Sequence, residues 1–220
     1  MTMRTRVKIC GITRVEDGLA AARAGADAIG LVFWPGTPRV VTIDRAREIV
    51  AALPPLVSVV ALFVDPEPEH VRATLAAVPL DVLQFHGHEP PEFCGAFGRP
   101  YIKAVPVTPG DHGSGLLECA ARYEAAAGLL FDAPPADGLP GGTGRTFDWS
   151  ALPERLLQPL VLSGGLTVAN VAAAIRRVRP WAVDVSSGVE MIDARGNPVR
   201  GIKDSARIAA FIGEVRNADG

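Results

Sequence analysis

Cysteine is scarce in this 220-residue chain, and the little there is does not pair. Cys10, Cys94 and Cys119 are an odd number with no Cys-x-x-Cys spacing among them. That excludes a disulfide framework and a cysteine-based zinc site as organising features, so no metal is expected; reduced thiols fit a cytoplasmic protein. An excess of charge of one sign is missing too. Twenty-two basic residues face 24 acidic ones, for a net charge of −2, and the isoelectric point is near 6.1. No global field attracts a polyanion, and no nucleic-acid partner is expected. Long hydrophobic runs are absent as well. The most apolar stretch, 49–64, is broken by Pro54, Pro55 and Ser58 and falls short of the roughly 20 residues that span a bilayer. Arg4 and Arg6 are followed by Lys8, Gly11 and Arg14 rather than by an apolar run, so neither a secretory signal nor a membrane partner is expected.

What is present is rhythm. Runs rich in Val, Ile, Leu and Phe at 6–10, 27–33, 57–64, 81–85, 101–105, 128–132, 160–163 and 182–186 alternate with helical patterns at 14–24, 44–52, 68–77, 91–97, 115–126, near Trp149, 168–178 and 203–215. The strand runs are apolar on both faces, as in a parallel sheet covered by helices. Eight such units in 220 residues predict an α/β fold, a compact single-domain (β/α)8 TIM barrel over residues 1–220. The rival is an open doubly wound sheet, but Cys10-Gly11-Ile12-Thr13 stands where its Gly-x-Gly-x-x-Gly turn would be. Thr13 with Glu16 reads as a capping box, Gly25 as a helix stop, and Thr167 as a second N-cap.

In such a barrel function collects where the strands end. There stand Cys10-Gly11, the segment from Phe33 to Arg39, Asp65, Gln84-Phe85-His86-Gly87, Asp132, Ser163-Gly164-Gly165 and Asp184-Val185-Ser186-Ser187-Gly188. Gly164 and Gly165, leading into a helix, and Ser186, Ser187 and Gly188 expose backbone N–H groups on adjacent strands. Together they make a phosphate site that needs no lysine. Either motif alone would be a tight turn; the pair points to a phosphorylated small molecule. Cys10 is either an inert core thiol or a base or nucleophile, and in the second case it needs a nearby cation, because a free thiol titrates near pH ~8.5. Lys8, one of only three lysines in the chain, shares its strand face; it could equally form a structural ion pair with Asp184. Asp132 is a candidate general acid or a cap for the following backbone. The glycine-rich segment 133–146 reads as a mobile lid and lacks the Gly-Lys-Ser/Thr ending of a nucleotide loop.

Taken together, Lys8-Ile9-Cys10-Gly11-Ile12-Thr13, Phe33-Trp34-Pro35-Gly36-Thr37-Pro38-Arg39, Gln84-Phe85-His86-Gly87, Asp132 with Gly141-Gly142-Thr143-Gly144, Phe147-Asp148-Trp149, Ser163-Gly164-Gly165-Leu166 and the segment from Asp184 to Glu190 occur in order along nearly the whole chain. The combination resembles the phosphoribosylanthranilate isomerases of tryptophan biosynthesis. The resemblance implies a cofactor-free Amadori rearrangement by a monomer or homodimer, with Asp132 as general acid, Cys10 as general base, Arg39 on the anthranilate carboxylate and Asp184 at the sugar hydroxyls. Thr37, Phe85 and Arg145 depart from the serine, leucine and lysine usual in that family. Two other functions compete: a related phosphosugar isomerase, such as that of histidine biosynthesis or a bifunctional enzyme, expected to use two aspartates, and a silent phosphate-binding barrel, expected to have lost Cys10 or Asp132.

Overall fold

The structure, a computed structural model, describes residues 4–110, 113–134, 144, 146–153 and 155–220. Its parallel strands β1 (Arg6–Cys10), β2 (Ala28–Val32), β3 (Ser58–Phe63), β4 (Val82–Phe85), β5 (Tyr101–Pro106), β6 (Gly128–Asp132), β7 (Leu160–Leu162) and β8 (Ala182–Val185) pair in chain order. β8 returns to β1 with Lys8 opposite Asp184, which closes the barrel and removes the open-sheet alternative. The outer helices are α1 (Val15–Ala24), α2 (Ile43–Ala52), α3 (Pro68–Ala77), α4 (Pro91–Cys94), α5 (Gly113–Arg122), α6 (Val171–Val178) and α7 (Ser205–Asp219).

Why the strands are apolar on both faces follows from where alternate side chains go. Val7, Ile9, Ile29, Leu31, Val59, Phe63, Leu83, Phe85, Leu129, Phe131 and Val183 point outward and join the helices in one large core. The intervening positions turn inward, where Ala104, Leu130, Val161 and Ala182 fill the barrel floor. Cys10, Val32 and Leu62 form an apolar wall higher up. Each fully buried Leu, Ile or Phe is worth about 1.5–3 kcal/mol of transfer free energy, so the outer shell carries most of the stability. The mouth can then hold polar groups that a core would not tolerate.

Three local expectations fail for long-range reasons. Arg14, not Thr13, is the N-cap of α1, and no side chain caps that end. The Thr13 hydroxyl instead donates to the Gly201 carbonyl at 2.5 Å. Thr167 opens a turn rather than a helix: Asn170 Oδ1 accepts its N–H at 2.8 Å, and α6 begins only at Val171. Between β8 and α7, an antiparallel hairpin of β9 (Glu190–Ile192) and β10 (Pro198–Lys203) stands where no strands were expected. Gly25, by contrast, closes α1 in the left-handed conformation at φ 97°.

Candidate active site

Cys10, Arg39, Asp132, Gly164, Gly165, Asp184, Ser186 and Ser187 line one cavity at the C-terminal mouth, together with Gln84 and His86. Trp34, Leu62, Val64 and Leu166 give that cavity an apolar side. Gly188 faces an adjoining groove beside Thr167 and Arg207. The expected lid falls mostly on 135–143 and 145, outside the described residues; of its glycines, Gly144 stands 3.7 Å, measured from a Cβ built on it, from Ser187 Oγ.

Cys10 lies at the end of β1, opposite Gly30 of β2. A side chain on Gly30 would strike Cys10 Sγ at 2.7 Å and Lys8 Cε at 3.1 Å, so this glycine makes room for both. Lys8 Nζ donates to Asp184 Oδ1 at 2.8 Å, and both side chains are buried. The structural ion pair therefore exists. Burial pushes the Cys10 thiol above its usual range, while the Lys8 ammonium pulls it down and Asp184 pushes it up again. Lys8 acts on the thiol in the expected direction, but desolvation wins. For Lys8 itself burial opposes the proton, yet Asp184 and Cys10 outweigh it and the ammonium is held above its usual range.

At the end of β6, Asp132 does cap the following backbone: Oδ1 accepts the Ala133 N–H at 2.7 Å. Its second oxygen remains directed elsewhere, with His86 Nε2 at 3.4 Å from Oδ2. One oxygen of the carboxylate caps the backbone and the other faces His86.

Beside Asp132, the loop after β7 bends through Gly164 and Gly165, both at positive φ (82° and 61°). A Cβ on Gly164 would sit 2.6 Å from Ala133 N and 3.1 Å from Asp132 Oδ1, so only glycine lets this loop close against the acid. A Cβ on Gly188 would collide with the Leu166 carbonyl. The segments after β7 and β8 are therefore packed backbone to backbone. Asn170 Nδ2 donates to the Gly165 carbonyl at 3.0 Å, so a turn, not the first residue of α6, follows the glycines.

Arg39 reaches the mouth through a partner that sequence reasoning missed. Its Nε and Nη2 donate to Glu190 Oε1 and Oε2 at 2.7 and 2.9 Å, a buried two-pronged pair. Lys203 Nζ donates to the same carboxylate at 3.4 Å and to the Ser186 carbonyl at 3.0 Å. Burial would raise Glu190, but Arg39, Lys203 and the Gly201 N–H hold it below the usual carboxylate range. Lys203 is lowered to about 8 by burial and by Arg39, against the pull of Glu190 and Cys10. Arg39 and Lys203 thus share the Glu190 carboxylate beneath Ser186. Glu190 was part of the quoted motif but had no role, and Lys203 lay at the start of the last expected helix; their signal is spatial, supplied by the hairpin.

With this geometry in place, likeness to known proteins is informative. The family model described as N-(5'phosphoribosyl)anthranilate (PRA) isomerase matches residues 7–214. A protein of Alcanivorax borkumensis named N-(5'-phosphoribosyl)anthranilate isomerase is 56% identical over 211 residues, covering 96% of this chain and 95% of its own. The phosphoribosyl anthranilate isomerase crystal structure from Thermotoga maritima superposes with a TM-score of 0.84 at 41% identity, covering 97% of this chain and 99% of the other. A second isomerase structure, in complex with reduced 1-(o-carboxyphenylamino)-1-deoxyribulose 5-phosphate, has a TM-score of 0.79 at 38% identity over the same shares. A barrel closed in chain order, a mouth carrying Cys10 and Asp132, and a match along nearly the whole length lead to one conclusion: the chain belongs to the N-(5'-phosphoribosyl)anthranilate isomerase family.

Proposed function

We propose that this chain, as a single barrel domain, converts N-(5'-phosphoribosyl)anthranilate into 1-(2-carboxyphenylamino)-1-deoxyribulose 5-phosphate with Asp132 as general acid and Cys10 as general base. The observation that carries this reading is that both side chains line one buried cavity from strands three apart around the barrel. Asp132 gives its proton to the furanose ring oxygen while the anilino nitrogen expels it from C1, forming an iminium. The iminium acidifies the C2 proton, and Cys10 removes it. The resulting enol loses its hydroxyl proton as C1 gains one, which yields the ketose. Each positioned proton transfer is typically worth about 10²–10⁴ in rate.

Binding divides along the same lines. Gly164, Gly165, Ser186, Ser187 and Gly188 take the phosphate through backbone N–H groups and hydroxyls. Arg39, a planar cation that lines the cavity, takes the aromatic carboxylate. Asp184, paired with Lys8, accepts from the sugar hydroxyls. The related structure that holds the reduced product analogue supports a phosphorylated ligand of this shape. Three unpaired cysteines, and the absence among the described residues of any helix long and apolar enough to cross a membrane, fit a cytoplasmic enzyme. A monomer or homodimer suits the family, since the Thermotoga maritima relative is described as dimeric with engineered monomers.

The test is turnover of freshly made phosphoribosylanthranilate, followed as loss of anthranilate-type fluorescence. Turnover dependent on the protein is expected; none, with turnover of the histidine-pathway substrate instead, would overturn the reading.

A further inference from the structure

Gln84 and His86 line the same cavity as Asp132, and the roles assigned so far leave them without a task. Their arrangement is linear. Gln84 Nε2 lies 3.0 Å from His86 Nδ1, and His86 Nε2 lies 3.4 Å from Asp132 Oδ2. Gln84 is fully buried, and its Oε1 has no hydrogen-bond partner among the described residues. A buried carbonyl oxygen without a donor costs roughly 1–3 kcal/mol; a half-turn of the amide presents Oε1 to an Nδ1–H and moves the unpartnered place to Nε2.

The imidazole is held on both sides. Lys103 Nζ donates to the carbonyls of Phe85 and Gly87 at 3.3 and 2.6 Å and to Glu89 Oε2 at 3.0 Å. Glu89 accepts the Gly87 N–H at 3.0 Å, and the His86 N–H donates to the Phe63 carbonyl at 2.9 Å. A buried ion pair thus fixes the backbone before and after His86, and the ring is left one degree of chemical freedom: which nitrogen carries the proton.

We propose that Gln84 and His86 form the positioning and proton-storing partner of Asp132. The proposal rests on Asp132 being the general acid. In the loaded pair, Nδ1–H donates to Gln84 Oε1 and a second proton lies on the line between His86 Nε2 and Asp132 Oδ2. Asp132 passes that proton to the ring oxygen, breaking its Oδ2–H bond and forming the sugar O–H bond. Over a turnover the ring oxygen and C1 each gain a proton while C2 and its hydroxyl each lose one, so the hydroxyl proton reloads the pair and nothing external is consumed. In the unloaded pair the remaining proton stays on Nδ1, still donated to Gln84 Oε1, and Nε2 faces the carboxylate as the acceptor of the next proton. Among the described residues, the charged or titratable groups around this line are Lys103 and Glu89, paired beneath the β4 loop, and Asp65 with His88, which meet beside Gly87. Across the mouth stand Cys10 with Lys8 and Asp184, and Arg39 with Glu190 and Lys203.

The experiment measures kcat and KM against pH for the full chain and for Asp132→Asn, His86→Asn, Gln84→Glu and Gln84→Leu. His86→Asn is expected to lower kcat about 30-fold, less than the loss at Asp132, with KM within about twofold. Gln84→Glu gives Nδ1–H an anionic acceptor, so the alkaline limb of kcat should move to higher pH, while Gln84→Leu moves it lower; a purely structural role would shift neither limb. If Asp132→Asn loses at least 100-fold while His86→Asn stays within about twofold and the limbs coincide, this proposal falls and the acid assignment stands. Near-normal turnover in Asp132→Asn overturns both. Should the His86 variant not fold, nitrogen NMR of the wild-type ring decides: a proton fixed on Nε2 at every pH overturns the proposal.

Discussion

Cys10 and Asp132 end two strands of the same barrel, yet their surroundings are built from different materials. Around Cys10 the neighbours that matter are fixed ions, Lys8 paired with Asp184 and, further off, Lys203, set against a wall of Val32 and Leu62. Around Asp132 they are hydrogen-bonding groups, the Ala133 N–H on one oxygen and His86 on the other. A thiol pushed up by burial is a stronger base once ionised, and Lys8 limits how far that rise goes. A carboxylic acid needs its proton aimed and replaced, which is a matter of geometry. One wall of the mouth is built of fixed charges, the other of hydrogen-bonding groups.

The sharpest way to break that comparison is to remove each group without changing its shape. Cys10→Ser and Asp132→Asn are each expected to lower kcat at least about 100-fold with substrate binding retained, the scale of a lost general base or acid. Near-normal turnover in either variant would end its assignment. Next in size is a backbone test of the acid wall. Gly164→Ala places a methyl against Ala133 N and Asp132 Oδ1, whereas Gly98→Ala, also at positive φ (62°), meets nothing within 4 Å. Both should lose about 1 kcal/mol of stability or more from the left-handed conformation, but only Gly164→Ala should lose about tenfold in kcat. Equal activity in the two variants would show that the loop after β7 does not position Asp132.

A smaller effect probes the charged wall. In Lys8→Met the thiol loses its cation and keeps Asp184, so Cys10 should titrate at higher pH and react with an alkylating agent about tenfold more slowly near pH 8. Superimposable rate profiles for wild type and variant would remove Lys8 from the account of the base.

How much of this was legible in the sequence depends on how far apart the interacting residues lie in the chain or around the barrel. Every expected strand ends within one residue of the observed one, because a buried parallel strand is a local composition signal. The Lys8–Asp184 pair was legible too, since closure makes β8 a neighbour of β1 and strand parity does the rest. The ends of helices were less so. Thr13 and Glu16 satisfy a local capping rule, but the hairpin places the Gly201 carbonyl within reach of the Thr13 hydroxyl and takes it. The hairpin itself escaped notice because Glu190-Met191-Ile192 and the stretch from Pro198 to Lys203 are short, lack clean alternation and are bulged. With it went the Glu190 pairs to Arg39 and Lys203, contacts spanning 151 and 13 residues. Strand-end positions follow from the fold; the Glu190 pairs depend on what folds back over the mouth.

Those ions allow a last, smaller test, in which the sign is the informative part. Lys203 is held at about 8, below its ordinary value of 10.5, because burial and Arg39 outweigh Glu190 and Cys10. A base depressed in the folded state binds fewer protons there than in the unfolded chain between these two values. Its charged form therefore costs stability in full below about pH 8, and the cost is relieved as pH rises toward 10.5. Relative to Lys203→Met, the wild type should gain about 1 kcal/mol between roughly pH 8 and pH 9, a fivefold change in the unfolding equilibrium. Taking the difference between the two proteins cancels groups that titrate alike in both, such as Cys94, which burial pushes up to about 12. Urea unfolding at several pH values measures it. A difference that is flat, or that falls with pH, would mean that Glu190 holds the ammonium charged throughout. In that case two full cations would share one carboxylate beneath Ser186, and the charged wall would differ from the acid wall even more than the present structure indicates.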